Sequence, residues 1–217
     1  MSKKLQNTIR TLITIMETKD ENLKGHSIHI EKLCLLSYDF LPFHMRRGIS
    51  PDDLSLAALF HDLGQVGVPG ESLGKAGKLS EEERKQLRQH PELSMELLKE
   101  MGGYEKILEW VKYHHERVDG KGYYGLKGNE IPVASRILAV ADAFSSITML
   151  KSYKPSGSYE DGMSILRMEA GTQFDEKIVE IFDMIPRNRM EECAKQAREE
   201  ADRIRSMILP ANKLRFL

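Results

Sequence analysis

Cysteine is almost missing from the chain: Cys34 and Cys193 are the only two, and neither stands in a metal or redox spacing. That scarcity excludes a disulfide-built secreted fold and points to a reducing compartment, the cytoplasm. An excess of charge of one sign is lacking as well, with 32 basic against 33 acidic residues and a formal net charge of -1. No global basic field draws the chain to DNA, RNA or an acidic membrane, so any affinity for a phosphorylated ligand has to be local. The opening "MSKKLQNTIRTLITIM" has the lysines of a signal peptide without its uninterrupted apolar core. No apolar run approaches the roughly 20 residues of a bilayer span. Sustained strand-like alternation is absent too. What remains, 41% hydrophobic and 30% charged residues over a length of 217, is the make-up of one globular domain with room for helical extensions.

The periodicity that is present is helical. Leu5, Ile9, Leu12, Ile13 and Met16 form a stripe over residues 3–18, and Ile30, Leu33, Cys34 and Leu36 form another before Pro42. Ser50 and Pro51 mark a helix start and Gly64 offers its stop. Ser80 and Glu83 have the spacing of a capping box, and Pro91 opens the helix after His90. Further helices are expected over 104–116, 132–150, 158–169 and 175–185. The expected fold class is all-α, a compact helical bundle with a C-terminal amphipathic helix. In that last helix Met190, Cys193, Ala197, Ala201, Ile204 and Ile208 recur every three or four residues. Such a stripe either packs on the parent domain or forms a homodimer seam, and the sequence leaves both open.

The chemistry starts at "ALFHDLGQVGVP", where His61 and Asp62 close an apolar helix ahead of a glycine turn. Neighbouring residues point about 100° apart, so both reach one ion only near the helix end. Alone, such a pair is weak evidence. It has company: His26 at a helix start, His90 at a break, His114 and His115 side by side, and Asp142 inside the apolar "ILAVADAFSSI". A buried acid without a partner is costly, and a cation removes the cost. Of the seven histidines, His44 is expected at the surface, and His29, one turn after His26, could line the site.

The order of motifs resembles the HD-GYP family of metal-dependent phosphodiesterases, within the HD phosphohydrolase superfamily. The resemblance runs from about Asp20 to Phe182 and includes a glycine-histidine start, HD, HPE, HH, a DG-x-G-Y loop, AD-x-F and the closing "AGTQFDEKIV". It implies an N-terminal helix over 1–19, a catalytic domain over 20–186 and a helical tail over 187–217. His26, His61, Asp62 and Asp142 match the ligands of one metal, and His90, His114 and His115 match those of a second, with Asp62 bridging. Two divalent ions are therefore implied, because a glutamate that holds a third ion in some members is Asn22 here. An imidazole and carboxylate set suits iron, manganese or zinc. Paired ions about 3.5–4 Å apart share a hydroxide in line with a phosphodiester. The implied reaction is hydrolysis of a cyclic dinucleotide, cyclic di-GMP first.

Four departures fall in the substrate shell. Gln65 replaces the lysine of HD-x-G-K, Tyr124 replaces the proline of GYP, Ser145 replaces an aspartate, and "LKSYK" replaces D-R-P-Y-R. Asp62 and Gln65 are the expected catalytic residues, with Tyr123, Ser145, Lys151 and Lys154 as substrate-binding residues. Two other readings stand beside the first: a phosphohydrolase of another nucleotide, and a weakly catalytic binding module. Regulation is expected from a separate protein.

Overall fold

The apolar spacing becomes ten α-helices among the residues described by the computed structural model, 2–17, 24–68, 80–149 and 156–208. They are α1 (Lys3–Glu17), α2 (His26–Tyr38), α3 (Pro51–Phe60), α4 (Glu81–Leu87) and α5 (His90–Met101), followed by α6 (Leu108–Lys112), α7 (Val133–Thr148), α8 (Tyr159–Met168), α9 (Glu176–Met184) and α10 (Arg187–Ile208). These residues form no strand, only an isolated bridge between Ala170 and Phe174. The all-α expectation is met. None of these helices is long and apolar enough to cross a membrane. Asn22, Lys151 and Lys154 lie outside the described residues.

The helix starts follow local chemistry. Ser50 Oγ accepts from the Asp53 N–H at 3.1 Å, with Pro51 in the first turn. Ser80 and Glu83 close a reciprocal capping box, and Ser158 and Asp161 close another. One expectation fails: the helix read over 104–116 shrinks to Leu108–Lys112. His114 Nδ1 takes the Val111 carbonyl at 2.5 Å, the acceptor that the N–H of residue 115 would need to continue the helix. His114 and His115 therefore leave from a turn.

Helix α2 is the centre of the bundle, packed against α3, α7 and α10. Ile28, Ile30, Leu33, Cys34 and Leu36 are all buried on it, so it has no solvent stripe in its first two turns. The α10 stripe is spent on this assembly. Met190, Ala194, Ala197, Ala201 and Ile204 are buried and the helix lies on α1 and α2. Cys193 is half-buried. The seam through which a homodimer was conceivable is thus covered by the chain itself.

Helix α1 is tied down by charge. Glu31 of α2 is fully buried and accepts from Arg10 Nε at 2.8 Å, from Gln6 at 3.2 Å and from Ser55 Oγ at 2.5 Å. Glu31→Gln keeps the volume and removes the charge that these donors share. Its expected cost is about 2 kcal/mol, from hydrogen bonds to a charged group. For a chain of this size that is a fall in Tm of about 4–8 °C, measured by thermal unfolding.

Candidate metal centre

Three histidines share one local device. His61 Nδ1 donates to Ala58 O at 2.8 Å, His90 Nδ1 to Leu87 O at 2.6 Å, and His114 Nδ1 to Val111 O at 2.5 Å. Each carbonyl lies three residues back at the end of a helix, where backbone acceptors lack partners. At Leu87 the reason is visible in sequence: Pro91, four residues on, has no N–H to offer. With Nδ1–H committed to the backbone, Nε2 of each ring is aimed inward as the free donor atom.

Asp62 receives them. Its Oδ1 lies 3.0 Å from His90 Nε2 and 3.9 Å from His114 Nε2, and its Oδ2 lies 3.2 Å from His61 Nε2. Two groups of side chains offer converging ligand atoms, Asp62 with His90, His114 and His115, and Asp62 with His26 and His61. Asp62, common to both groups, is the residue to which the resemblance assigned the bridge.

The residues fit a metal on three counts. His61 Nε2 and Asp62 Oδ1 are buried yet have no aligned hydrogen-bond partner. His90 Nε2 and His114 Nε2 face each other at 3.4 Å, two inward atoms with only one carboxylate between them and the rest of the cluster. All the donors are imidazole nitrogen or carboxylate oxygen, which suits iron, manganese or zinc. The electrostatics agree. Burial works against an ionised Asp62, but His61 and His90 outweigh it and hold the carboxyl well below its usual range. Burial also opposes a charge on His61, and Asp62 overcomes it, lifting His61 to about 9. His114 is pushed far down by burial and by its neighbour His115, and His115 is lowered to about 4, chiefly by burial.

His26 is held differently. It opens α2, with Nε2 3.1 Å from Asp142 Oδ1 and Nδ1 3.0 Å from Ser145 Oγ. Asp142, half-buried on α7 and expected as a ligand, meets His26 here but is not among the ligand atoms that converge with His61 and Asp62. The first turn of α2 is capped from α1: buried Glu17 accepts from the Gly25 N–H at 3.0 Å and the Ser27 N–H at 2.8 Å. Gly25 takes φ +74°, and a Cβ there would stand 3.0 Å from Ala197 O of α10. Ser145 requires a correction. It was expected to touch substrate, but it is fully buried on α7 between His26 and His29, and its hydroxyl is already engaged with both rings. His29 is buried beside it, lowered to about 3 by burial and then by His26, and so neutral.

The HD turn and α5 are locked together by Gly64. Its N–H donates to Ser94 Oγ at 2.7 Å, and that hydroxyl donates to His61 O at 2.9 Å. Gln65, expected to be catalytic, is half-buried on the same turn, past Asp62. At the mouth, the ring of Tyr123 lies 4.9 Å from that of His115, with the Arg88 guanidinium 5.4 Å from its centroid. Tyr124 turns aside onto Tyr113 and Lys112. The loop carrying both tyrosines hangs on buried Glu116, which accepts the N–H groups of Tyr124 and Leu126 at 2.6 Å each. Sequence reasoning missed Glu116, Glu17 and Ser94. Only Glu116 had a signal, an acid directly after the paired histidines. His44 is exposed, as expected.

An all-helical bundle whose helix ends bring two His/Asp groups onto one shared aspartate is the arrangement of an HD domain. A family model of that description matches residues 10–178, and the chain belongs to that family, whose phosphohydrolases are metal-dependent. Within it, the chain belongs to the HD-GYP group. It is 34% identical over 181 residues to 3′3′-cGAMP-specific phosphodiesterase 1 of Vibrio cholerae serotype O1, covering 82% of this chain and 40% of that one. It is 34% identical over 141 residues to a cyclic di-GMP phosphodiesterase response regulator of Xanthomonas campestris pv. campestris, covering 61% of this chain and 37% of that one. The chain thus spans about two fifths of the length of these curated relatives. A solved cyclic GMP-AMP-specific phosphodiesterase of V. cholerae has the same fold, with a TM-score of 0.61 at 16% identity over 97% of this chain and 63% of that chain.

Proposed function

We propose that this chain is a metal-dependent phosphodiesterase that hydrolyses a cyclic dinucleotide, with cyclic di-GMP as its substrate and two divalent ions as its cofactor. The observation that carries the reading is the single Asp62 carboxylate, shared between the two ligand groups. When bound, a pair of ions supplies an activated water and neutralises charge building on the attacked phosphate. The chain supplies the rest. His61, His90 and His114 arrive with their tautomers set by backbone carbonyls, so little reordering accompanies loading. Tyr123 lies tilted beside His115 with a partly exposed ring on which a base can stack. Iron and manganese are the ions we assign, with zinc as the further choice for this donor set.

A mixed guanine–adenine cyclic dinucleotide is the second reading, favoured by the 34% identity to the V. cholerae enzyme of that specificity. The test is a hydrolysis panel on anaerobically metal-loaded chain, with products separated by chromatography. It covers cyclic di-GMP, 3′3′-cGAMP, cyclic di-AMP and nucleoside monophosphates. Cleavage of cyclic di-GMP fastest supports the assignment, and preference for 3′3′-cGAMP supports the second reading. Intact cyclic dinucleotides throughout, beside an active control enzyme, overturn both.

A further inference from the structure

His61, His90 and His114 each place the Nδ1 proton on a backbone carbonyl, whereas His26 places Nδ1 on a side chain. Ser145 Oγ lies 3.0 Å from His26 Nδ1 and 2.9 Å from His29 Nδ1, and all three residues are buried. A hydroxyl has a single proton. It also has two lone pairs, but the two ring nitrogens are its only partners among the described residues, so its proton has to go to one of them while it accepts from the other.

The role of His26 decides the direction. For Nε2 to serve as a ligand atom beside His61 and Asp62, it must keep its lone pair, and the ring proton must sit on Nδ1. His26 Nδ1–H then donates to Ser145 Oγ, and Ser145 Oγ–H donates to His29 Nδ1. His29 ends the chain as a neutral ring with its proton on Nε2. That atom is buried without a hydrogen-bond partner, near the ring of Phe144 at 6.4 Å between centroids. In either polarity that atom stays without a hydrogen-bond partner, so its protonation reports the direction of the relay directly. The reverse polarity has His29 Nδ1–H donating to the hydroxyl and the hydroxyl donating to His26. It puts a proton on His26 Nε2, where it faces Asp142 at 3.1 Å and closes the ligand atom.

We propose that His29 is a positioning residue that acts through Ser145 to hold His26 in the tautomer whose Nε2 binds metal. This rests on the metal-site reading above and concerns one of its two ligand groups only. Losing a partner that orients a ligating histidine costs about 10- to 100-fold in metal affinity.

The experiment compares the full chain with Ser145→Ala, His29→Leu and His29→Asn. The last keeps an acceptor oxygen near the place of Nδ1. Manganese binding is followed by calorimetry, and folding by circular dichroism. Wild type is expected to take two ions. Ser145→Ala and His29→Leu should keep one at unchanged affinity and bind the other about 10- to 100-fold more weakly. His29→Asn should restore most of the loss. A uniform loss of both ions, or no loss at all, overturns the proposal. The ¹⁵N spectrum of His29 in wild type loaded with zinc, a diamagnetic probe, needs no variant to fold. A proton on Nε2 supports the relay, and a proton on Nδ1 overturns it while leaving the two-ion reading intact. A wild-type chain that takes no metal sinks the two-ion reading itself.

Discussion

Replacing Asp62 by alanine is expected to cut cyclic dinucleotide turnover about 10³-fold. Its metal content should fall below one ion per chain. The carboxylate is the only side chain present in both ligand groups, with one oxygen 3.0 Å from His90 and the other 3.2 Å from His61. Removing it leaves His90, His114 and His115 with no carboxylate in their group, and leaves His26 and His61 with Asp142 as the one nearby anion among the described residues. Charge stabilisation by bound metal is worth several kcal/mol, and about 4 kcal/mol corresponds to about 10³-fold in rate. The variant should stay folded, because Asp62 contributes no helix cap and its neighbours are held by backbone carbonyls. Metal analysis alongside the hydrolysis assay checks the prediction, and full turnover with two ions retained would refute it.

Gly64→Ala is expected to damage fold and site together. A Cβ at Gly64 would stand 2.2 Å from His90 O and 2.6 Å from Ser94 N. Both are backbone atoms of α5, so no side chain can swing aside to relieve the overlap. Either the turn after Asp62 or the start of α5 has to move. The expected cost is about 3 kcal/mol, the upper part of the overpacking range. That lowers Tm by about 6–12 °C at this chain length. Since His61 and His90 stand on the two sides of this contact, manganese affinity should fall as well. Calorimetry on the folded fraction measures this. By contrast, alanine at Gly48, exposed to empty space, should leave metal binding untouched.

The residues that converge on Asp62 were legible because few residue types can bind a cation and because they fell at helix ends. The Ser50 and Ser80 caps were legible because they are local. What the sequence withheld are the roles made by distant packing. Ser145 and His26 are separated by 119 positions, and nothing near Ser145 announces that its hydroxyl will meet two imidazoles. Reading it as a substrate contact followed from its place in a motif, while its burial comes from α7 lying against α2. Glu17 closes α1 with no local signal of a further role, yet it caps the first turn of α2. The Ala-rich stripe of α10 was compatible with two destinations. The close approach of Ala197 to Gly25, which only a glycine permits, selects the intramolecular one.

The raised His61 carries a last consequence. Asp62 lifts His61 to about 9 against the opposing effect of burial, so a proton competes with a cation for the nitrogen that faces the carboxylate. Loading is an exchange in which H⁺ leaves as M²⁺ arrives, so uptake at this side should strengthen with rising pH until about 9 and level off beyond it.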